Sequence, residues 1–295
     1  MRVRFLGFLA LLTAAAAQPP DHGDLEYGPH QRNKLDLWIA KSPRPAPVVV
    51  FIHGGGFVSG DKSKARDSKL LAQCLASGVS YASINYRFRG QAAIQDILRD
   101  SARAIQFLRY HAREWNIDPK RIGAHGGSAG AGTSLWLAFH DDLADPDNAD
   151  PVLRESSRLA AAGATAPQAS YDLERWPEIL GVSIAQFSRG AEFYLFYGFK
   201  SPAELTTPAG KRIRADVDML GLISKDDPPV YVASSLPDTP PKDRGHANHH
   251  PRHSMAIKKR CDEVGVEAVM KLGADGKEGD GPSLGAFLLE KLKKP

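Results

Sequence analysis

Three groups of residues in this 295-residue chain carry the means for chemistry. The first is Gly126-Gly127-Ser128-Ala129-Gly130, a G-x-S-x-G pattern. A serine hydroxyl becomes a useful nucleophile only when a base can take its proton and when it is exposed on a sharp turn. The small residues flanking Ser128 allow such a turn between a strand and a helix, and the helix N-terminus favours negative charge developing beside it. The second group is His53-Gly54-Gly55-Gly56-Phe57. Its glycines leave backbone N–H groups uncovered, so that with the N–H of Ala129 the turn could hold an oxyanion. A phosphate-binding loop would need a G-x-x-x-x-G-K-[ST] or G-x-G-x-x-G pattern, and this turn has neither. The third group is histidine: four of the ten lie between His246 and His253, and none follows. A neutral imidazole there could act as general base. Positions 246, 249, 250 and 253 are also spaced like metal ligands on one helical face, but Gly245 and Pro251 argue against a continuous helix and no Cys is near.

These groups need elements to position them, and the hydropathy pattern supplies strands alternating with helices. Leu35, Leu37 and Ile39 alternate with Asp36 and Trp38, which predicts a half-exposed strand, and Pro47 to His53 is an apolar run of the fully buried kind. Ser63 to Ser77 reads as a helix, Val79 to Asn85 as a strand, and Ile94, Ile97, Leu98, Ile105 and Leu108 fall on one helical face. Arg121 to His125 is a brief strand leading into the Ser128 turn, and a helix follows through Phe139. Leu159–Thr165, Val230–Ser234 and Val266–Leu272 read as later strands, with Met255–Val264 and Leu284–Leu292 as the closing helices. Such alternation implies an α/β fold with a mostly parallel sheet covered on both faces. The stretch from Tyr171 to Asp227 lacks clear period and far exceeds the ~4–6 residues of an ordinary connection, which predicts a cap or lid inserted before the penultimate strand. Its aromatic run Phe193-Tyr194-Leu195-Phe196-Tyr197 could line a pocket or pack the lid. The Asp145/Asp147/Asp150 loop lacks the EF-hand pattern and reads as a capped, solvated turn.

From Val48 to Gly130, with both glycine turns and Asn85-Tyr86-Arg87 between them, the chain resembles the α/β-hydrolase superfamily, in its hormone-sensitive-lipase-like and feruloyl-esterase-like carboxylesterase branches. The resemblance implies a three-layer sandwich forming one domain over residues 18–295. It implies Ser128 as nucleophile and Gly55, Gly56 and Ala129 as oxyanion donors. In that family the triad acid follows the strand after the cap and the base follows the last strand. Asp238 stands about where the acid belongs, with Asp172 as an alternative after the preceding strand. The loop after the last strand, Leu272 to Gly281, contains no His. A substitute base would then come from His246, His249, His250 or His253, with His250 first and His249 next, because Pro251 suits the first position of a helix that starts at the carboxyl edge of the sheet. Two functions follow. One is a secreted serine esterase working through an acyl-enzyme on Ser128, with a small-molecule or carbohydrate-linked ester as substrate and no cofactor. The other is a hydrolase-fold protein with a degenerate triad that is inactive or binds ligands.

Composition narrows the setting. Lys and Arg number 38 against 34 Asp and Glu, and both signs are interspersed, which disfavours a nucleic-acid surface. Met1 to Arg4 is a positive n-region, Phe5 to Leu12 an apolar h-region and Ala15-Ala16-Ala17 an A-x-A site, the order of an export leader cleaved near Ala17. It predicts a secreted or periplasmic protein, and no later segment offers the ~20 apolar residues of a membrane span. Cys74 and Cys261 fall on helices expected on opposite faces of the sheet, which predicts free thiols.

Overall fold

The computed structural model describes residues 18–183, 190, 192–273 and 281–293; residues 1–17, where a leader is expected, and residues 274–280 of the last loop lie outside the described residues. Its strands are β1 (His22–Glu26), β2 (Lys34–Trp38), β3 (Ala46–Ile52), β4 (Ser80–Ile84), β5 (Ile117–Gly127), β6 (Ala161–Thr165), β7 (Val230–Ser234) and β8 (Ala268–Leu272). They form one eight-stranded sheet in the order β1-β2-β4-β3-β5-β6-β7-β8. Strand β2 runs antiparallel to both β1 and β4, and every pairing from β4 to β8 is parallel. The apolar run of β3 explains its central place: Val48, Val49, Val50 and Ile52 are all fully buried, as a parallel strand covered on both faces requires.

The helices are α1 (Lys69–Ala76), α2 (Ile94–Tyr110), α3 (Ala129–Phe139), α4 (Trp176–Leu180), α5 (Glu192–Leu195), α6 (Pro208–Asp216), α7 (Met219–Leu222), α8 (Arg244–Asn248), α9 (Pro251–Val264) and α10 (Leu284–Lys293). One hydrophobic cluster joins Ile97, Leu98, Ile105 and Leu108 of α2 with Leu135 and Trp136 of α3 and Ile257 and Cys261 of α9. A second, on the other face, joins Leu71 and Cys74 of α1 with Phe287, Leu288 and Leu292 of α10. The result is the three-layer α/β sandwich that the sequence implies. Cys74 and Cys261 are free and buried in different clusters, and burial pushes both thiols up to about 12. Helices α4 to α7 occupy the long connection between β6 and β7.

Two expectations change. Strand β2 is not half-exposed, because β1 covers its outer edge and Asp36 is drawn inside by Lys62 at 2.5 Å and Arg66 at 3.1 Å. The helix expected from Ser63 begins only after Ser68, whose side chain caps Leu70, and a short 3-10 turn over Lys62–Ala65 precedes it.

Candidate active site

Ser128 stands between the end of β5 and the start of α3 at φ 53°, ψ −120°, a backbone region that costs a non-glycine residue of order 1–3 kcal/mol and is retained mainly at functional sites. The surrounding glycines are dictated by the end of β3. A Cβ on Gly126 would lie 2.4 Å from the Ile52 carbonyl oxygen, and one on Gly130 would lie 2.0 Å from the same atom. The elbow can press against β3 only where side chains are missing.

The second glycine turn meets the first. A Cβ on Gly54 would come within 2.6 Å of the Gly127 carbonyl oxygen and 3.5 Å of the Ser128 Cβ. Gly55 adopts φ 121° with the Ser59 carbonyl 2.1 Å from where its Cβ would be, so no other residue fits. Beneath the turn, His53 is buried, stacks on Tyr86 at 4.3 Å and has its carbonyl held by the Tyr86 hydroxyl at 2.5 Å. Burial lowers the His53 pKa to about 4, so the ring is neutral packing. Gly56, Ser128 and Ala129 line one cavity of about 290 Å³. The expected oxyanion turn and the expected nucleophile are thus brought together.

The imidazole that reaches Ser128 belongs to His249. Its Nε2 lies 2.8 Å from the Ser128 Oγ. Burial lowers the His249 pKa, and a hydrogen bond from the ring to the Gly245 carbonyl opposes that shift. Nε2 is the ring atom placed to accept the Ser128 O–H, which requires the ring proton on Nδ1. The main chain carrying His249 is pinned from two strands. The Ser234 hydroxyl at the end of β7 donates to the His249 carbonyl at 3.0 Å, and the Gln168 side chain beyond β6 donates to the Asn248 carbonyl at 2.7 Å. Sequence reasoning missed Gly245, Gln168 and Ser234, since backbone carbonyls and single amides leave no pattern.

His250, placed first from the sequence, does not meet Ser128. It is the N-cap of α9 at φ −61°, ψ 138°; its Nδ1 accepts from the Arg252 N–H at 3.3 Å and its Nε2 donates to the Thr239 carbonyl at 2.8 Å. Both ring nitrogens are thereby engaged. The signal lay in Pro251, since the residue before a proline is held extended and is suited to cap rather than to reach. Asp238 is not brought to His249 either. It pairs with Arg252 at 2.8 Å, lies 3.8 Å from the His250 Nε2, and its side chain is 41% exposed. Asp172 caps a 3-10 turn and pairs with Arg214 at 2.9 Å. His253 is buried against Trp176 and its pKa falls to about 3, while His246 stacks on His250 at 5.0 Å. Among the described residues no group of three or more His, Cys, Asp or Glu is disposed to hold a metal.

Aromatic side chains make the rest of the cavity wall. Phe57, Tyr171, Trp176, Phe193 and Phe196 line it, and the Tyr171 hydroxyl donates to the Ala129 carbonyl at 2.9 Å. The aromatic run of the insertion therefore does both things open to it: Phe193 and Phe196 face the cavity, while Tyr197 is buried and donates to the Tyr171 carbonyl at 2.8 Å.

Residues 35–164 match the BD-FAE family model. The chain is 35% identical over 136 residues to a probable isoprenylcysteine alpha-carbonyl methylesterase of Arabidopsis thaliana, covering 46% of this chain and 28% of that protein. It is 33% identical over 121 residues to a probable carboxylic ester hydrolase of Mycobacterium tuberculosis, covering 40% and 28%. The matches thus span under a third of those relatives' length. Among solved structures, a truncated carbohydrate esterase from gut microbiota superposes with a TM-score of 0.70 at 18% identity, over 94% of this chain and 99% of that one. An acetyl ester-xyloside bifunctional hydrolase from Caldicellulosiruptor lactoaceticus gives 0.62 at 22% identity, over 86% and 80%. The matched segment holds both glycine turns and ends within β6, and the sheet order and elbow continue the same architecture: the chain has the three-layer α/β fold of these esterase structures.

Proposed function

We propose that this protein hydrolyses carboxylic esters through an acyl-enzyme on Ser128, with His249 as general base. The observation that carries the reading is the 2.8 Å contact between the Ser128 Oγ and the His249 Nε2, with Ser128 lining a cavity. Ser128 attacks the acyl carbon as its proton passes to Nε2, and the carbonyl oxygen takes the negative charge. The backbone N–H groups of Gly55, Gly56 and Ala129 receive that oxyanion. The imidazolium then protonates the departing alkoxide, and a water activated by the same ring releases the acid. The Gly245 carbonyl beside the ring favours the protonated imidazole but brings no negative charge to it. A cavity of about 290 Å³ lies at the lower end of the range for small-molecule sites, which favours a small acyl or alcohol group on a free or carbohydrate-linked ester. The apolar leader supports export, which would leave Gln18 at or near the N-terminus of the processed protein.

The test is labelling by a fluorophosphonate together with turnover of a short-chain aryl ester. Ser128→Ala is expected to abolish labelling and to lower turnover at least about a thousandfold. Turnover that persists in Ser128→Ala would overturn the acyl-enzyme and leave the ligand-binding reading in its place.

A further inference from the structure

We infer that the ester taken by this site carries an anionic group, a carboxylate in the first instance, which Arg89 holds in the Ser128 cavity; this rests on the esterase reading above. Arg89 lines the same cavity as Ser128 and the aromatic wall. Its Nε is buried and has no hydrogen-bond partner among the described residues. A guanidinium presents five donors in a fixed fork, and buried donors without partners are rare in folded proteins. The neighbouring arginines differ. Arg87 is bound to Asp100 through Nε at 2.8 Å and Nη2 at 2.8 Å, and Arg32 donates to the Tyr86 carbonyl at 2.8 Å. Arg89 lines the cavity with no carboxylate of the described residues paired to it.

The position is built rather than incidental. The Arg89 N–H donates to the Phe57 carbonyl at 2.7 Å, which ties the residue to the glycine turn, and the Phe88 N–H is held by the Gln91 side chain at 2.8 Å. Arg32 lies over the Phe88 ring at 3.7 Å and closes the segment from behind. The other charged residue on the wall, Arg244, makes an interaction of its own, and among the described residues no Asp or Glu lines the cavity. In a space of about 290 Å³ with aromatic walls, a small substrate that enters must leave water beside these charges. A planar carboxylate matches the guanidinium fork of Arg89 and gives the cation a counter-charge that no described side chain of the wall supplies. The substrate class is therefore a small ester with an apolar or aromatic body and one carboxylate.

The probe pair is 3-acetoxybenzoate and its neutral match 3-acetoxybenzamide, each rate divided by the rate of alkaline hydrolysis of the same ester. In the unaltered protein the anionic ester is expected to be favoured in kcat/KM by about tenfold, the scale of one hydrogen bond to a charged group, and Arg89→Gln is expected to bring the ratio to about one. A ratio near one in the unaltered protein, or a ratio unchanged in Arg89→Gln, overturns the inference. Should Arg89→Gln fail to fold, competitive inhibition of the unaltered protein decides: 3-hydroxybenzoate must bind more tightly than 3-hydroxybenzamide, and equal binding overturns the inference. Equal, Ser128-dependent turnover of both esters would remove the anion site and leave the esterase standing, whereas turnover independent of Ser128 would remove the esterase itself.

Discussion

At the scale of single residues, two adjacent histidines divide the work at the start of α9. His249 ends α8 at φ −120°, ψ 19° and offers Nε2 to Ser128, whereas His250 turns extended and caps the next helix. His249→Ala is therefore expected to reduce kcat by at least about a thousandfold with the fold intact. His250→Ala is expected to leave most of kcat and to lower stability by about 1 kcal/mol, the worth of an N-cap. Equal losses of kcat in the two variants, measured beside urea unfolding, would refute that division. The pH profile carries the same assignment. Burial holds the His249 pKa below its ordinary 6.5, so the base stays neutral, and activity persists, until the pH falls below that value. The acid limb of kcat/KM should have its midpoint under 6.5, and a midpoint above it would point to another group. That a histidine of this cluster could meet Ser128 is readable from composition and from the absence of His in the loop after β8. Which one it is turns on Pro251, and what holds its main chain is a single hydroxyl and a single amide from distant strand ends, Ser234 and Gln168, which leave no pattern to read.

At the scale of elements, the glycines of the two turns differ in what they protect. Gly130 faces the Ile52 carbonyl at 2.0 Å from a would-be Cβ, so Gly130→Ala must separate α3 from β3. A clash with backbone cannot be relieved by a rotamer, and a loss of more than about 3 kcal/mol in urea unfolding is expected. Gly56 has φ +60° with open space around its would-be Cβ. Gly56→Ala should cost only about 1 kcal/mol of backbone strain. Its methyl group would stand at the oxyanion turn and lower kcat by tenfold or more, on the scale of a lost oxyanion donor. If Gly56→Ala keeps full activity, Gly56 is not part of the oxyanion turn. Both turns were legible in the sequence because a glycine forced by sterics is a residue type at a fixed offset. Strand β1 and helix α8 were not: β1 is a five-residue strand at the edge of β2 with Leu25 as its one large apolar residue and three exposed positions, and α8 is a five-residue helix started by the Asp243 cap. Neither has a hydrophobic period to detect. The burial of Asp36 escaped the sequence for a related reason, since the cations that neutralise it come from a turn 26 and 30 residues away.

Across the whole molecule, covering both faces of the sheet and closing the insertion over it traps imidazoles in the neutral form. Burial lowers His53 and His125 to about 4 and His253 to about 3, from an ordinary 6.5. Between pH 6.5 and these lower values the unfolded chain binds protons that the folded chain refuses, so the stability these groups contribute is complete above 6.5 and lost as the pH falls. His249 and His250 are lowered in the same direction. His140 opposes them: burial alone would lower it, but hydrogen bonds to Asp216 and to a backbone carbonyl raise it, so it stabilises the fold when protonated. Burial also raises Asp218 and Asp227, which gain a little stability on acidification, while the lowered carboxylates Asp36 and Asp61 weaken the fold only below their ordinary 3.8. The imidazoles dominate the interval above that value. Each fully differential group changes stability by about 1.4 kcal/mol per pH unit, so the urea midpoint should fall by an amount worth a few kcal/mol between about pH 7 and about pH 5. The slope of unfolding free energy against pH near pH 5 should correspond to the uptake of about two to three protons. A midpoint that stays level across this interval would mean that water reaches these rings, and the sheet would then not be sealed on both faces.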